Sequence, residues 1–228
     1  MNYTEMNNNK AVIAGTIVTD LRLSHELFGE KFYEFDMEVK RLSDSSDIIP
    51  VTMSEKLMGE QLLQCGQQCE LVGQFRSYNK VEEGKSRLML TMFVRSLVPF
   101  CGEYKNDVEV VGYLCKDPVY RTTPFKREIC DILVACNRSY NKSDYLPCIA
   151  WGRNARYSRN FSVGDKVKVG GRIQSRVYQK RMDDGEVLMR TAYELSLNNI
   201  SLEKEDQLDI DTMETSIGEV DNYFAMHI

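Results

Sequence analysis

The sequence predicts an all-β protein made of two tandem small barrels and an acidic C-terminal tail. Three observations predict this fold class. Matching residues recur at an offset of 97, as in Gly15 with Gly112 and Asp47 with Asp144, which indicates a duplicated unit. Apolar and polar residues alternate over short segments that end at glycine-containing turns, a pattern typical of β-strands. Each copy has room for only one short helix.

The repeat divides the 228 residues into three parts. The offset is 97 over the first three strands, 98 at Gly73 and Gly171, and 100 at Thr91 and Thr191. The length differences therefore fall in two connections, where insertions are tolerated. We predict a first unit at residues 9–102, a second unit at 106–202 and a disordered acidic tail at 203–228.

Each unit is predicted to contain five strands. In the second unit they lie at residues 108–120, 129–138, 145–151, 166–178 and 187–200. A helix between the third and fourth strands is expected at 154–161, ended by Gly164. In the first unit Ser54 is the expected N-cap of a helix that reaches Leu63.

These elements fit a closed five-stranded Greek-key barrel of the OB type in each unit. Hairpin turns between the fourth and fifth strands are expected at Gly84 and at Asp183-Asp184-Gly185. An immunoglobulin-like sandwich is the rival fold, but it would need seven strands and no helix at this place.

Composition excludes several classes of protein. No segment approaches the 18 or so consecutive apolar residues of a membrane-spanning helix, and residues 1–9 lack the hydrophobic stretch of a signal peptide. The seven cysteines are odd in number and several lie in apolar segments, which indicates reduced thiols rather than a disulfide framework. Cys65 and Cys69 have no second pair or nearby histidine to complete a zinc site. We expect a cytoplasmic protein without bound metal.

An enzyme is not expected either. The chain has no phosphate-binding glycine loop, and Gly170-Gly171 lies within a predicted strand rather than before a helix. The two histidines, His25 and His227, are too few and too isolated for a catalytic triad. No cofactor is predicted.

Charge is distributed unevenly along the chain. Residues 1–100 have 11 basic and 14 acidic side chains, residues 101–202 have 17 and 12, and residues 203–228 have 1 and 8. Within 121–182 there are 14 Lys and Arg against four acids. Such a local excess is expected of a surface that binds a polyanion, although the whole chain has a net charge of −5.

The fourth strand of the second unit predicts where a polyanion would lie. The face toward the barrel is predicted to hold Val167, Val169, Gly171, Ile173, Ser175 and Val177. The opposite face would hold Lys166, Lys168, Gly170, Arg172, Gln174, Arg176, Tyr178 and Lys180. No acid interrupts this series along the strand. An ordinary solvated face is the alternative, and mixed charges would then be usual.

The two units also differ in their aromatic and basic residues. The second unit has Tyr120, Arg121, Tyr140, Lys142, Tyr145 and Trp151 where the first has Leu23, Ser24, Ser43, Ser45, Ile48 and Ser54. A core role explains single aromatic residues, but not rings and cations that occur together. Bases stack on aromatic rings and cations contact phosphates, so this pattern is typical of proteins that bind single-stranded nucleic acid.

Two segments of the second unit resemble a known family. The runs PCIAWGRNAR (147–156) and VGDKVKVGGRIQSRVYQK (163–180) are similar to the bacterial single-stranded DNA-binding protein family, in its tandem form with two OB folds per chain. The resemblance covers about residues 9–202 and is more diffuse in the first unit, at 72–78. It implies sequence-independent binding of single-stranded DNA in replication, recombination and repair. It also implies an assembly of four OB folds, which two chains would supply.

The acidic tail departs from the pattern of that family. The family's tails end in acids followed by Ile-Pro-Phe, which dock on replication and repair enzymes, whereas this chain ends in VDNYFAMHI. Two interpretations stay open. Asp221, Tyr223 and Phe224 form a divergent docking motif, or the tail is a solubilising segment that competes with DNA for the basic face.

We predict unequal roles for the two units. The second unit is expected to bind DNA mainly, through Trp151, Tyr145, Tyr178, Arg153, Lys168, Arg172, Arg176, Lys180, Tyr140 and Arg121. The first unit is expected to serve homodimeric assembly, with some binding through Arg76, Tyr78 and Lys80. An OB-fold RNA-binding protein or a primosome-type accessory protein would have the same barrel and face, and a structural adaptor is a third class.

Overall fold

The computed structural model describes residues 7–59, 63–82, 84–181 and 187–203. Within these residues the first unit contains β1 (Asn9–Ile17), β2 (Arg22–Leu27), β3 (Glu30–Lys40), β4 (Ser46–Ser54), α1 (Glu55–Met58), β5 (Gln68–Glu82) and β6 (Lys85–Pro99). The second unit contains β7 (Lys105–Leu114), β8 (Val119–Thr122), β9 (Glu128–Arg138), β10 (Lys142–Trp151), α2 (Arg153–Ser158), β11 (Lys166–Arg181) and β12 (Val187–Leu202). The predicted tail from residue 204 onward and the predicted turn at 183–185 lie outside the described residues.

Each unit closes into a barrel of five strands. In the first unit β1 pairs with both β3 and β5, and the order β3-β4-β6-β5 completes the ring. In the second unit β7 pairs with β9 and β11, and the order β9-β10-β12-β11 does the same. Each short helix lies between the third and fourth of the long strands predicted from the sequence. The prediction of two tandem OB-type barrels is confirmed.

The first predicted strand of the second unit, 108–120, is instead two strands. β7 ends at Leu114, and β8 begins only at Val119. Pro118 lies between them, and a proline has no N–H to donate to a strand ladder. In the described part of the chain β8 pairs with β9 alone, outside the ring of five strands.

Both helices are shorter than predicted. Ser54 is the N-cap of α1, because its hydroxyl accepts a hydrogen bond from the N–H of Lys56 at 3.2 Å. This helix ends at Met58, before Gly59 with a left-handed φ of 54°, and Leu63 is not helical. α2 ends at Ser158 rather than at residue 161.

The last strands of the two units, β6 and β12, correspond at a different offset from the one predicted by matching identical residues. Val51 of β4 lies beside Met92 of β6, and the equivalent Cys148 of β10 lies beside Leu195 of β12. Met92 therefore corresponds to Leu195, an offset of 103, and the predicted offset of 100 is wrong. Strand pairing and the buried face determine this register, whereas a few identical residues do not.

The two barrels join through an antiparallel pairing of β1 with β7. Ala11 lies opposite Val108, with Asn9 opposite Val110 and Ile13 opposite Asn106. Ala11 and Val108 are themselves equivalent at the offset of 97, so the two barrels are related by a pseudo-twofold axis through this pair. The chain thus forms one continuous sheet of twelve strands in its described part.

Each barrel has a closed apolar core. Fully buried side chains include Phe35, Phe75 and Met92 in the first unit and Leu114 and Ile132 in the second. Four cysteines are also buried, at positions 69, 130, 136 and 148, and burial raises the pKa of the Cys69 thiol to about 11. In the described residues no helix is long and apolar enough to cross a membrane.

Candidate nucleic-acid interface

Two cations of β11 lie beside acidic residues of other strands. Lys168 Nζ lies 2.9 Å from an oxygen of Glu109 on β7, and Arg172 Nη1 lies 2.9 Å from Asp47 Oδ2 on β4 of the first unit. The sequence of one strand could not show these acids, because neighbouring strands provide them. The outward face of β11 is therefore mixed in charge.

Asp47 links the two units. Its carboxylate is fully buried and accepts hydrogen bonds from Arg41 at 2.7 and 2.5 Å, from Arg172 at 2.9 Å and from the N–H of Ser175 at 2.9 Å. Burial, with the nearby Arg41, lowers the pKa of Arg172. Arg172, which the sequence predicts as a DNA contact, thus bridges the second unit to the first.

Asp144 makes the equivalent link in the opposite direction. It accepts a hydrogen bond from the N–H of Ser77 in the first unit at 2.8 Å, and Arg138 Nε lies 3.4 Å from its carboxylate. The hydroxyl of Ser77 in turn accepts the N–H of Tyr145 at 2.7 Å. Burial raises the pKa of Asp144. Each unit therefore places one buried carboxylate against a backbone N–H of the other unit, at Ser77 on β5 and at Ser175 on β11.

Trp151, the single tryptophan of the chain, lies half-buried at the end of β10. Its indole N–H donates to the hydroxyl of Ser196 on β12 at 3.0 Å, and Ile129 on β9 is its cross-strand neighbour. The hydrogen bond restrains the orientation of the ring, so the indole loses little conformational entropy when a base stacks on it. We call Ile129, Trp151 and Ser196, with Glu194 beside them on β12, the Trp151 patch.

Glu194 places an acid within the Trp151 patch. Gln174 donates its amide N–H to Glu194 at 3.2 Å and accepts from Arg172 at 2.7 Å. Burial is the main cause that raises the pKa of Glu194; Asp131 adds to it and Arg176 opposes it. Protonation of this carboxyl would remove a negative charge from the predicted DNA face.

The remaining cations of the second unit differ in how they are paired. Arg121 donates two hydrogen bonds to Asp131, at 2.6 and 3.3 Å. Hydrogen bonding to Asp131 raises the pKa of Arg121. Arg153 and Arg176 are exposed. Among the described residues no carboxylate lies within ion-pair distance of Arg153 or Arg176.

The predicted tyrosines of the second unit differ in exposure. Tyr145 on β10 and Tyr178 on β11 are partly exposed, and Tyr140, at the turn between β9 and β10, is 77% exposed. Val177 departs from the predicted core face, since it is 61% exposed. The side chain of Lys180 lies outside the described part.

In the first unit the predicted residues occupy β5. Tyr78 and Lys80 are exposed, whereas Arg76 is half-buried with its guanidinium carbon 3.8 Å from the ring centre of Phe93. Gln74 accepts from Arg76 at 3.0 and 2.6 Å. Burial lowers the pKa of Arg76 to about 10.

Phe93 is a residue that the sequence analysis missed. At the offset of 103 it corresponds to Ser196, while Ser54 corresponds to Trp151. The ring therefore lies on β6 in the first unit and on β10 in the second, at the same place on the barrel. The offset of 100 set Phe93 opposite Tyr193 and so concealed the exchange.

Comparison with known proteins agrees with this architecture. The model of the single-strand binding protein family matches residues 105–202. The structure of wild-type single-stranded DNA binding protein from Thermus aquaticus superposes with a TM-score of 0.71 over 89% of this chain and 96% of that one. The two are 17% identical, so this similarity concerns the fold, and it extends over both units.

Curated relatives match over shorter regions. Single-stranded DNA-binding protein B of Bacillus subtilis is 35% identical over 81 residues, which cover 32% of this chain and 72% of that protein. Single-stranded DNA-binding protein 1 of Staphylococcus aureus is 36% identical over 83 residues, 33% of this chain and 50% of its own length. This chain spans about half the length of the Staphylococcus protein, so the match covers one barrel rather than whole proteins.

Proposed function

The chain belongs to the single-strand binding protein family, and on that basis we propose that it binds single-stranded DNA without sequence preference. The observation that supports this most directly is the Trp151 patch, where a hydrogen-bonded, half-buried ring lies on the unit that also has the exposed Arg153 and Arg176. Bases stack on such rings whatever their identity, and cations follow the phosphates. The protein would protect single strands during replication, recombination and repair in the cytoplasm, at the nucleoid.

We propose that the strand crosses the second unit along one side of its barrel. Trp151 and Tyr145 on β10 and Tyr178 on β11 would stack with bases, and Tyr140 would extend the path at the turn. Arg153 and Arg176 would contact phosphates most strongly, because no described carboxylate is within ion-pair distance of either. Arg121 and Lys168 contribute less, since a phosphate must compete with Asp131 and Glu109. Arg172 serves mainly to hold the two units together.

The domain division and the assembly are also proposals. We assign residues 9–102 and 106–202 to the two OB folds and 203–228 to an acidic tail that contacts partner proteins or shields the basic face. A homodimer would present four OB folds, as the family resemblance implies. Light scattering coupled to size-exclusion chromatography distinguishes a dimer from a monomer at about 26 kDa. The proposed role is binding rather than catalysis.

The test is a fluorescence titration that follows Trp151. The full chain is titrated with oligo-dT, with oligo-rU and with a duplex of equal length, each at two salt concentrations. We expect strong quenching by oligo-dT, a weak response to duplex, and a log-log salt slope of about −0.7 per phosphate contact. Tight binding of oligo-dT without quenching would move the site away from Trp151. Equal binding of rU, or no binding, would favour the RNA-binding or adaptor class instead.

A further inference from the structure

The first unit contains an aromatic cluster at the place that corresponds to the Trp151 patch. Phe32 on β3 lies opposite Ser54 on β4, and Thr52 of the same strand lies beside Phe93 on β6. The ring centres of Phe32 and Phe93 are 6.0 Å apart. His25 on β2 stacks on Phe32 with ring centres 4.8 Å apart and planes within 4°. Three rings from three strands thus meet where the second unit has Ile129, Trp151 and Ser196.

Cations lie directly on this cluster. The guanidinium carbon of Arg76 is 3.8 Å from the ring centre of Phe93, and that of the exposed Arg95 is 5.5 Å away. A planar guanidinium on an aromatic face occupies the position that a nucleic-acid base takes when it stacks. Asp144 of the second unit acts electrostatically on Arg76, whose pKa burial lowers all the same. Glu30 on β3 accepts a hydrogen bond from Ser54 and is paired with Lys56 at 2.8 Å.

We propose that Phe93, with Arg76 over its face and Phe32 and His25 behind it, is a second base-stacking site for single-stranded DNA, in the first unit. The inference rests on the proposed function of the chain and extends it. An arriving base displaces the guanidinium of Arg76 from the ring, and the freed cation then contacts the adjoining phosphate. Both barrels therefore bind the strand, each through a ring on a different strand of its sheet.

The exchange of ring positions argues against a purely structural role for Phe93. A core residue would be expected at the same position in both barrels, as Met92 and Leu195 are, with 0% and 1% exposure. Phe93 is half-buried, and its equivalent Ser196 is a small polar residue that supports a ring on the neighbouring strand. The two units thus each keep one ring at this place by different substitutions.

A tryptophan placed at position 93 tests the site directly. In a Trp151→Phe background, the Phe93→Trp variant has a single tryptophan in the first unit, and Phe100→Trp in the same background is the matched control beyond the end of β6. Saturating oligo-dT should quench the tryptophan at position 93 strongly and leave the control nearly unchanged. Quenching of Trp151 in the unmodified chain without quenching at position 93 would overturn this inference but leave the proposed function intact.

An affinity measurement decides the matter if the double variant does not fold. Phe93→Leu keeps an apolar side chain but removes the ring, and Phe93→Tyr keeps the ring. We expect Phe93→Leu to weaken oligo-dT binding by about 5- to 140-fold and Phe93→Tyr to bind like the unmodified chain. Equal binding by the leucine and tyrosine variants would show that Phe93 only fills space.

Discussion

The two barrels have the same strand order, but they carry an aromatic ring on different strands at the Trp151 patch and at the equivalent place in the first unit. In the second unit the ring is Trp151 on β10 and the neighbour on β12 is Ser196. In the first unit the ring is Phe93 on β6, beside Thr52 of β4, and the position equivalent to Trp151 is Ser54. A barrel wall places adjacent strands within about 5 Å, so a ring on either strand covers the same surface. The two units therefore differ in which strand carries the ring, but both have a ring on this part of the surface.

The electrostatic surroundings of the two rings differ more clearly. Glu194 and Asp131 lie among the cations of the second unit. The residue equivalent to Glu194 in the first unit is Thr91, which hydrogen-bonds Thr52 at 2.8 Å. In the described residues Arg121, Lys168 and Arg172 of the more basic second unit are each paired with an acid.

The links between the units are also unequal. Asp47 holds two arginines and a backbone N–H, whereas Asp144 holds a backbone N–H at 2.8 Å and one arginine at 3.4 Å. The charge of Asp47 is balanced by close partners, and its loss would leave two half-buried cations near each other without their common carboxylate.

Asp47→Asn should lower the free energy of unfolding by about 3 to 5 kcal/mol, because Arg41 and Arg172 lose their common carboxylate. Asp144→Asn should cost less, about 1 to 2 kcal/mol, since its amide oxygen can still accept the N–H of Ser77. Urea denaturation of both variants measures the difference. Equal losses would mean that the two links are equivalent after all.

Trp151→Ala should weaken oligo-dT binding by about 1 to 3 kcal/mol through lost base stacking. The control is Trp151→Phe, which keeps a ring and should recover most of the affinity. Fluorescence anisotropy of a labelled oligonucleotide measures both. An alanine variant that binds as tightly as the unmodified chain would place the main site elsewhere.

Arg153→Gln and Arg176→Gln should each reduce the magnitude of the salt slope by about 0.7, because each removes one phosphate contact. Arg121→Gln is the matched comparison and should reduce it less, since Asp131 already holds that guanidinium. Titrations at four salt concentrations give the slopes. If Arg121→Gln reduces the salt slope as much as the other two variants, the ion pair with Asp131 does not weaken the phosphate contact of Arg121.

Affinity for oligo-dT should rise modestly, about fivefold, as the pH falls from neutral toward 4.5, the ordinary pKa of a glutamate. Burial raises the pKa of Glu194, so its carboxyl takes up a proton at a higher pH than an ordinary glutamate does, and it then stops repelling phosphate. Glu194→Gln should bind more tightly at neutral pH and lose most of this pH dependence. An unchanged pH profile in that variant would assign the effect to another group.

Much of the fold could be predicted from the sequence, because strand patterns and the repeat are local signals. The N-cap at Ser54 and the placement of β9, β10 and β11 followed from residue types alone. The split at Pro118 was missed because the apolar residues that end at Cys115 are followed by Val119 and Tyr120 after only three intervening residues, Lys116, Asp117 and Pro118. The register of β12 was missed because it depends on pairing with β10 and on a longer hairpin, neither of which identical residues record.

The candidate site was harder to predict for the same reason. Trp151 and the cations of β11 are visible in the sequence, but their acidic neighbours come from other strands: Asp47 and Glu109 from far away in the chain and Glu194 from the next strand. Phe93 became recognisable only when the strand pairing showed that it corresponds to Ser196. Contacts between distant strands decide which cations are free, and single-strand patterns do not contain that information.

Photocrosslinking of the unmodified full chain to oligo-dT containing 5-iodo-deoxyuridine tests directly whether bases stack on both barrels. Mass spectrometry of the digested product identifies the residues that stack on bases. We predict crosslinks in both units, with the highest yield at Trp151 and a second group at Phe93. Crosslinks confined to residues outside both patches would contradict the account.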